Sequence, residues 1–281
     1  QKTAYEIVSR DWSSDVCSSD LTDQVLAGGT DVFLARYAPD GSPAWTRLLG
    51  TSAVDEAYAM TTGAEGAIYV GGWTGGSLDG QANLGDGDGF IAKYLPDGTR
   101  AWTRLLGTSG YDSVFALATG PDGTIYVGGE TTGSLDGQAN GGQWDGFIAS
   151  YRPDGTRLWT RLLGGSGSDR ASALVVGVDG TIYVGGFAET ALDGESPSGG
   201  YDAFVTSYRA DGSKVWTRML GSSGFDMATD LAIGLNGALY VGGYTLGLAG
   251  DQTGNGGSDA FVAKYLPDGT RVWTKPVGSS Q

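Results

Sequence analysis

The sequence repeats itself every 57 residues along almost its whole length. The segment TIYVGG at 124–129 has near-copies on both sides, and the tripeptide WTR (WTK in its last copy) and the pattern Asp-x-Phe keep the same interval. The recurring residues are Tyr69, Tyr126, Tyr183 and Tyr240; Trp45, Trp102, Trp159, Trp216 and Trp273; and Asp31, Asp88, Asp145, Asp202 and Asp259. A fixed period of this length means that one repeat sets the architecture of the whole array. We expect the recurring tyrosines and tryptophans to form its structural core.

Each repeat is predicted to contain four short antiparallel strands. Residues 90–94 (FIAKY) alternate aromatic and small residues on one face, which is the period-two signal of a strand. Further strands are predicted at 102–106, 114–119 and 124–129. A Pro-Asp-Gly turn joins the first strand to the second and the third to the fourth, and a loop at 107–112 joins the second to the third. Four such strands form a sheet that cannot bury both faces alone, whereas radial stacking of sheets buries them. The sequence therefore predicts an all-β fold, a β-propeller of four-stranded blades.

The propeller repeats are expected to fill residues 22–281, with the last one ending after its second strand. The N-terminal remnant and the C-terminal half-repeat together lack the third and fourth strands of a common blade, so we expect an incomplete or open propeller of about four and a half repeats. Exposed sheet edges would then favour aggregation. The repeats are 31–87, 88–144, 145–201, 202–258 and the half-repeat 259–281.

Residues 1–21 do not fit the repeat. Residues 12–15 read WSSD where the period requires YVGG, and residues 11–21 resemble a translated sequencing-library adapter. Residues 22–30, in contrast, align without a gap with residues 250–258. We therefore interpret residues 1–21 as a non-native scar, with a genuine linker as the alternative. Cys17, the single cysteine, lies in that segment, so the rest of the chain offers no disulfide.

Resequencing the genomic codons upstream of Thr22, without library adapters, tests this interpretation. We expect residues 1–21 to be replaced by further repeat sequence in the same register. Recovery of the same residues from genomic DNA would show that they are native.

Composition restricts the function. A net charge of −15 does not suit nucleic acid, whose phosphates need a basic surface, so no nucleic-acid partner is expected. No apolar run approaches the ~20 residues of a membrane-spanning helix, so no membrane span is expected. The absence of histidine removes the commonest general base and the usual zinc ligand. Among metals, this leaves hard cations such as calcium, which oxygen atoms bind.

The repeat resembles a known bacterial family. Asp-Ala-Phe-Val-Ala-Lys-Tyr at 259–265 is followed by Pro-Asp-Gly and a Trp-Thr motif, and residues 202–243 hold a whole copy that continues through Gly-Ser-x-x-x-Asp to Tyr-Val-Gly-Gly. This pattern resembles the SBBP repeat, which is named for a seven-bladed β-propeller, and the resemblance covers residues 22–281. It implies a propeller and a secreted or cell-surface bacterial protein. The family has no established shared activity, so the resemblance implies no catalytic residue.

Two kinds of connection join the strands. The Asp-Gly turns are short and nearly invariant, whereas the loops after the WTR strand and after the YVGG strand are longer and differ between repeats. Strand direction places both longer loops at one end of the sheets, here called the long-loop face, and the turns at the other end, the short-turn face. Since binding residues favour variable loops on a rigid scaffold, the long-loop face is the candidate binding surface.

Aromatic and acidic residues on that face are the candidate ligand-binding groups. Aromatic rings at variable positions suit stacking on sugars or anchoring of a protein partner, although Trp73, Phe187 and Tyr244 lie near strands and favour a core-capping role. Recurring aspartates suit calcium, and turn formation is the alternative. The binding candidates are Trp73, Tyr111, Trp144, Tyr201 and Phe225; the metal candidates are Asp55, Asp79, Asp86, Asp88, Asp112, Asp136, Asp169, Asp193 and Asp226.

The sequence favours a non-catalytic extracellular or cell-surface scaffold that presents a loop-rich acidic face to a protein or glycan, with calcium as the candidate cofactor. A carbohydrate-active enzyme, a glycosidase or lyase using paired carboxylates, is the alternative. The acids recur with the period, whereas a catalytic pair should be unique, and this disfavours the enzyme. The non-repeating glutamates are Glu130, Glu189 and Glu195.

Overall fold

The computed structural model describes residues 5–8, 25–247 and 258–277, and apart from one 3₁₀ turn (Ala64–Gly66) its regular structure is β-strand. The strands are β1 (Tyr5–Val8), β2 (Val32–Tyr37), β3 (Pro43–Leu49), β4 (Asp55–Thr62), β5 (Ile68–Thr74), β6 (Asp88–Tyr94), β7 (Arg100–Leu106), β8 (Asp112–Thr119), β9 (Ile125–Thr131), β10 (Asp145–Tyr151), β11 (Arg157–Leu163), β12 (Asp169–Val176), β13 (Ile182–Ala188), β14 (Asp202–Tyr208), β15 (Lys214–Leu220), β16 (Asp226–Ile233), β17 (Leu239–Thr245), β18 (Asp259–Tyr265) and β19 (Arg271–Val277). From β4 onward each strand recurs after 57 residues, as the sequence predicts. No helix in these ranges is long and apolar enough to cross a membrane.

The strands form antiparallel sheets in which neighbours along the chain are neighbours in the sheet. Four of the sheets have four strands each, in the orders β4-β5-β6-β7, β8-β9-β10-β11, β12-β13-β14-β15 and β16-β17-β18-β19. A further sheet has the order β1-β2-β3. The four-stranded blade predicted from the repeat is therefore confirmed.

The grouping of strands differs in phase from the predicted one. A sheet combines the last two strands of one repeat with the first two of the next, since β5 pairs with β6 across the glycine-rich loop (Gly72 opposite Phe90). The loop after the WTR strand then leads to the next sheet. Both longer loops still lie at the same end of a sheet, so the long-loop face is retained.

A glycine pair marks a close backbone approach in three of the four-stranded sheets, at Gly72, Gly186 and Gly243. The first strand bulges between Ala57 and Ala59, opposite Gly71 and Gly72 of β5. A Cβ at Gly72 would lie 1.9 Å from the Glu56 carbonyl oxygen, which no side chain tolerates. The YVGG motif thus encodes the bulge that brings the two strands together.

The N-terminal segment departs from expectation. Residues 5–8 form β1, which pairs antiparallel with β2, with Tyr5 opposite Arg36 and Val8 opposite Phe33. This is the place that the YVGG strand takes in the other sheets, because the free edge of β2 accepts any extended segment. Residues 5–8 therefore take part in a sheet, although the sequence analysis excludes residues 1–21 from the fold. Cys17 lies outside the described residues.

The chain divides into two compact units, Gln1–Val114 and Phe115–Gln281. In the first unit, β2, β5 and β6 contribute a core that includes Leu34, Val70 and Phe90. Among the described residues of the second unit, one such core lies around Tyr126, Ile148 and Phe204 and another around Tyr183, Val205 and Phe261. The recurring tyrosines Tyr69, Tyr126 and Tyr183 are buried, and Tyr240 is half-buried.

A tryptophan–arginine clamp joins successive sheets within each unit. In the second unit, Trp159 Nε1 donates to the Ala210 carbonyl (3.0 Å) and Arg161 Nε donates to the Gly212 carbonyl (3.1 Å). A Cβ at Gly212, whose φ is +78°, would lie 2.8 Å from the indole ring, so the Asp-Gly turn is part of the clamp. The equivalent indole bonds run from Trp216 to Pro267 and, in the first unit, from Trp45 to Pro96.

Substitution of Trp159 by Phe tests the clamp. It keeps an aromatic ring but removes the N–H that bonds to the Ala210 carbonyl, so we expect urea denaturation to show a loss of about 1 kcal/mol in the free energy of unfolding. The matched control is Trp144→Phe on the long-loop face, for which we expect a change within about 0.5 kcal/mol. Equal losses in both variants would contradict the clamp.

Candidate functional site

The recurring aspartates at strand starts close the loops of the long-loop face. Asp169 Oδ2 accepts a hydrogen bond from the Gly165 N–H (2.8 Å), and Asp145 Oδ2 accepts one from the Gly141 N–H (2.9 Å). In each case the donor lies four residues before the aspartate, so the carboxylate fixes a tight loop. The same closure is made by Asp31, Asp55, Asp88, Asp112, Asp202 and Asp226.

A second set of aspartates lies along the outer strand rather than on the long-loop face. Asp79, Asp136 and Asp193 have φ of 51°, 53° and 54° at the tip of a turn that folds back over its own sheet. Asp193 pairs with Lys214 (2.7 Å), and Asp79 and Asp136 pair with Arg100 and Arg157 in the same way. Their placement on the long-loop face, expected from the sequence, is wrong.

The same turn covers the edge of the sheet. Gln138 Nε2 donates to the Thr160 carbonyl (2.9 Å), and the Leu162 N–H donates to Gln138 Oε1 (3.1 Å). The side-chain amide thus completes backbone hydrogen bonds that edge strand β11 would otherwise leave open. These turns have a structural role, which explains why the motif Leu-Asp-Gly-Gln recurs.

Among the described residues, the structure brings the metal candidates together in pairs at most. In the described part of the chain no three acidic side chains lie close enough to hold a metal ion. Asp86 is exposed in the loop before β6, and the remaining candidates close loops or pair with cations. These hydrogen bonds are the ones that the turn-forming alternative requires, and calcium binding stays a prediction.

Carboxylates from neighbouring sheets meet in pairs. A Cβ at Gly164 would lie 2.6 Å from Asp145 Oδ1 and 2.9 Å from Asp169 Oδ2. Burial, with a smaller contribution from Asp145 and Glu189, raises the pKa of Asp169 to about 6. Burial and the Asp112 carboxylate raise the pKa of Asp88 to about 6. The loop closures therefore carry an electrostatic cost near neutral pH.

Stability should accordingly fall as pH rises from about 4 to 7. The folded-state pKa of Asp169 lies above the unfolded value near 3.9, so the folded state binds more protons in this window. We expect the melting temperature to decrease across it, and to decrease less in Asp169→Asn. Asp179, in the Asp-Gly turn after β12, is the control: Thr181 lowers its pKa, so Asp179→Asn should leave the slope between pH 4 and 7 unchanged. An unaltered slope in Asp169→Asn would contradict the assignment.

The variable aromatic residues of the second unit come together beside these closures. Tyr201 and Phe225 directly precede Asp202 and Asp226, form a parallel β-bridge, and have ring centres 5.0 Å apart. The Phe187 ring lies 5.4 Å from that of Tyr201 and 5.5 Å from that of Phe225. Tyr244 stacks on Phe225 at 5.8 Å with an interplanar angle of 12°. We call Phe187, Tyr201, Phe225 and Tyr244 the aromatic cluster.

The other aromatic candidates occupy equivalent places. In the first unit Trp73 stacks on Tyr111 with ring centres 5.8 Å apart. In the second unit Trp144 forms a parallel bridge with Ser168 and is 40% exposed. The core-capping role expected for Phe187 agrees with its 6% exposure, yet this ring also joins the cluster. Tyr244 is half-buried and joins the cluster through Phe225.

A buried ion pair adjoins the cluster and was not predicted from the sequence. Arg170 Nε donates to Glu130 Oε2 (2.6 Å) and Arg170 Nη2 donates to Glu130 Oε1 (3.1 Å). Glu130 is 1% exposed, and burial raises its pKa although Arg170 opposes the shift. The guanidinium lies 4.4 Å from the centre of the Phe115 ring and 5.4 Å from that of Phe187. The available signal was that other repeats have Glu56, Ser113 and Met227 at the position of Arg170.

Comparison with known proteins supports the fold. A family described as a beta-propeller domain of unknown function, DUF5122, matches residues 120–157. The regulatory protein FlaEY of Caulobacter vibrioides is 30% identical over an alignment of 238 positions, and the match covers 77% of this chain and 24% of that protein. An uncharacterized WD repeat-containing protein, L264 of Acanthamoeba polyphaga mimivirus, is 22% identical and covers 70% of this chain and 19% of its own length. The chain spans a quarter or less of the length of these relatives. Together, the family match and the four-stranded sheets show that it is a β-propeller repeat protein.

Solved structures show a more distant likeness. The extracellular domain of the one-component system BT4673 from B. thetaiotaomicron has 13% identity and a TM-score of 0.41, and the match covers 90% of this chain and 26% of that one. The gluconolactonase XC5397 from Xanthomonas campestris has 15% identity and a TM-score of 0.44, with 89% and 73% covered. Identities and TM-scores this low carry no argument about activity.

Proposed function

We propose that this β-propeller is a non-catalytic binding module that presents its long-loop face to a protein or a glycan. The observation that carries the proposal is the aromatic cluster. Residues that recur with the period are used for clamps, loop closures and edge protection, whereas the residues that vary meet on one surface. Three of the four clustered rings, Tyr201, Phe225 and Tyr244, keep part of their surface exposed. An extracellular or cell-surface location in a bacterium is part of the proposal and follows from the SBBP resemblance.

The partners of the non-repeating glutamates support a non-catalytic role. Both oxygens of Glu130 accept hydrogen bonds from Arg170. Glu189 Oε2 accepts a hydrogen bond from the Ser168 N–H (2.8 Å), and Glu195 lies 3.5 Å from Arg218 on the outer strand. Each carboxylate thus has a structural partner. We expect no polysaccharide cleavage, and cleavage that disappears in Glu130→Gln or Glu189→Gln would favour the carbohydrate-active enzyme.

Calcium is a secondary proposal that a thermal-melting comparison tests. A cation that binds the folded state raises the melting temperature according to its concentration relative to Kd. We expect a higher melting temperature in excess Ca²⁺ than in a chelator if the acidic loops bind the ion. Equal melting curves would remove calcium from the proposal without affecting the aromatic cluster.

Substitutions in the cluster test the binding function. A glycan microarray and a cyclic-peptide phage library are the probes, and we expect the wild-type protein to bind members of at least one. Tyr201→Ala and Phe225→Ala should weaken that binding by about tenfold or more, since exposed aromatic anchors dominate recognition. Leu235→Ala, at a fully exposed turn tip on the short-turn face, is the control and should bind like the wild type. Undiminished binding by both cluster variants would contradict the proposal.

A further inference from the structure

Building on the binding function proposed above, we infer that Arg170 and the aromatic cluster form a subsite for a neutral glycan. The cluster would pack against the C–H face of a sugar ring, and Arg170 would donate hydrogen bonds to its hydroxyl groups. The inference rests on the fixed geometry of Arg170, its remaining donors, its proximity to the rings, and the charge of the site.

Arg170 is held in one position before any ligand arrives. Its two bonds to Glu130 are bidentate, which fixes the plane of the guanidinium. The centres of the Phe115 and Phe187 rings lie 4.4 and 5.4 Å from the guanidinium carbon and restrict the side chain further. A donor fixed in this way loses little conformational entropy when it binds a ligand.

One edge of the same guanidinium is unused. Nε and Nη2 bond to Glu130, while Nη1 makes no hydrogen bond to any residue in the described ranges. The side chain keeps 25% of its surface exposed, so the two N–H groups of Nη1 are within reach of a ligand. The ion pair therefore leaves a preorganised donor at the surface.

The donor and the rings adjoin one another. Arg170 on β12 lies opposite Phe187 on β13, and the Phe187 ring contacts both Tyr201 and Phe225. A ligand that covers Tyr201 and Phe225 is thus separated from Arg170 by a single ring, that of Phe187. An apolar face beside a hydrogen-bond donor matches a sugar ring, which has a C–H face and hydroxyl groups around its edge.

The charge of the site favours a neutral ligand over an acidic one. Glu130 neutralises Arg170, so the pair attracts an anion only weakly. The net charge of −15 repels polyanions such as uronate chains. A guanidinium neutralised in this way still donates hydrogen bonds to hydroxyl groups.

The size of the surface favours a glycan over a protein. A stable protein interface buries roughly 800 Å² on each partner. The cluster has four rings, of which Phe187 is only 6% exposed. The three partly exposed rings suit one or two sugar rings, whereas a protein interface would have to extend well beyond the cluster.

Titration calorimetry with defined oligosaccharides tests the inference. The probes are the neutral hexasaccharides of glucose (β-1,4 and α-1,4), mannose and xylose, with hexagalacturonate as the acidic counterpart. We expect at least one neutral hexasaccharide to bind, with a Kd that changes less than twofold when NaCl is raised about tenfold. Tyr201→Ala should weaken this binding at least tenfold.

Variants of the ion pair give the decisive comparison. Arg170→Met alone leaves Glu130 buried and unpaired, so the double variant Glu130→Gln/Arg170→Met removes both charges and keeps the fold measurable by its melting curve. We expect the double variant to bind the neutral hexasaccharide at least tenfold more weakly. Arg152→Met removes one cation from an exposed turn on the short-turn face and should bind like the wild type.

Other outcomes overturn the inference in distinguishable ways. Tighter, salt-sensitive binding of hexagalacturonate would identify an acidic ligand instead. Neutral-glycan binding that survives in the double variant would remove Arg170 from the subsite. Peptide binding that depends on Tyr201, without any saccharide binding, would leave the proposed binding function and discard the glycan. No binding of either probe that depends on Tyr201 would discard both.

Discussion

The hydrogen bond from each WTR tryptophan to the turn of the next sheet is the constraint on which the rest of the second unit depends. A four-stranded sheet has two faces to bury, and apolar packing alone permits neighbouring sheets to slide or rotate. Trp159 and Trp216 each connect an indole N–H to one backbone carbonyl 51 residues later, and the paired arginine reaches a second carbonyl. Each bond contributes only about 1 kcal/mol, but two directional bonds per junction fix the relative position of the sheets.

Fixed sheets bring the long-loop ends together, and buried carboxylates then set each loop. The residue directly before each closing aspartate is free to vary, because the loop uses the side chain of the aspartate but only the backbone of its neighbour. Tyr201 and Phe225 occupy two such positions, so a recurring aspartate fixes the loop from which each variable side chain projects. The same positions hold Trp144 and Ser168 one period earlier. A repeat can thus change its surface residues without changing its loops.

How much the sequence predicts depends on the range of the interaction. Alternation and Pro-Asp-Gly turns are local signals, so the strands and their period could be predicted. The phase of the sheets could not, because the pairing of β5 with β6 crosses a long loop without such a turn. Variation between repeats identified the aromatic positions, but it could not predict that their rings contact one another. Arg170 and Glu130 are 40 residues apart on different sheets, and no local pattern joins them.

The electrostatics of the chain distinguish its two kinds of buried carboxylate. Asp145 and Asp169 face each other without a cation between them in the described structure, and their raised pKa values show that ionisation is penalised. Glu130 is also buried, yet it holds a cation that is positioned next to aromatic rings. The aspartate pairs recur with the period because every loop needs closing. The glutamate–arginine pair occurs once among the described residues, where a strand end borders variable residues, and the proposed glycan subsite rests on this placement.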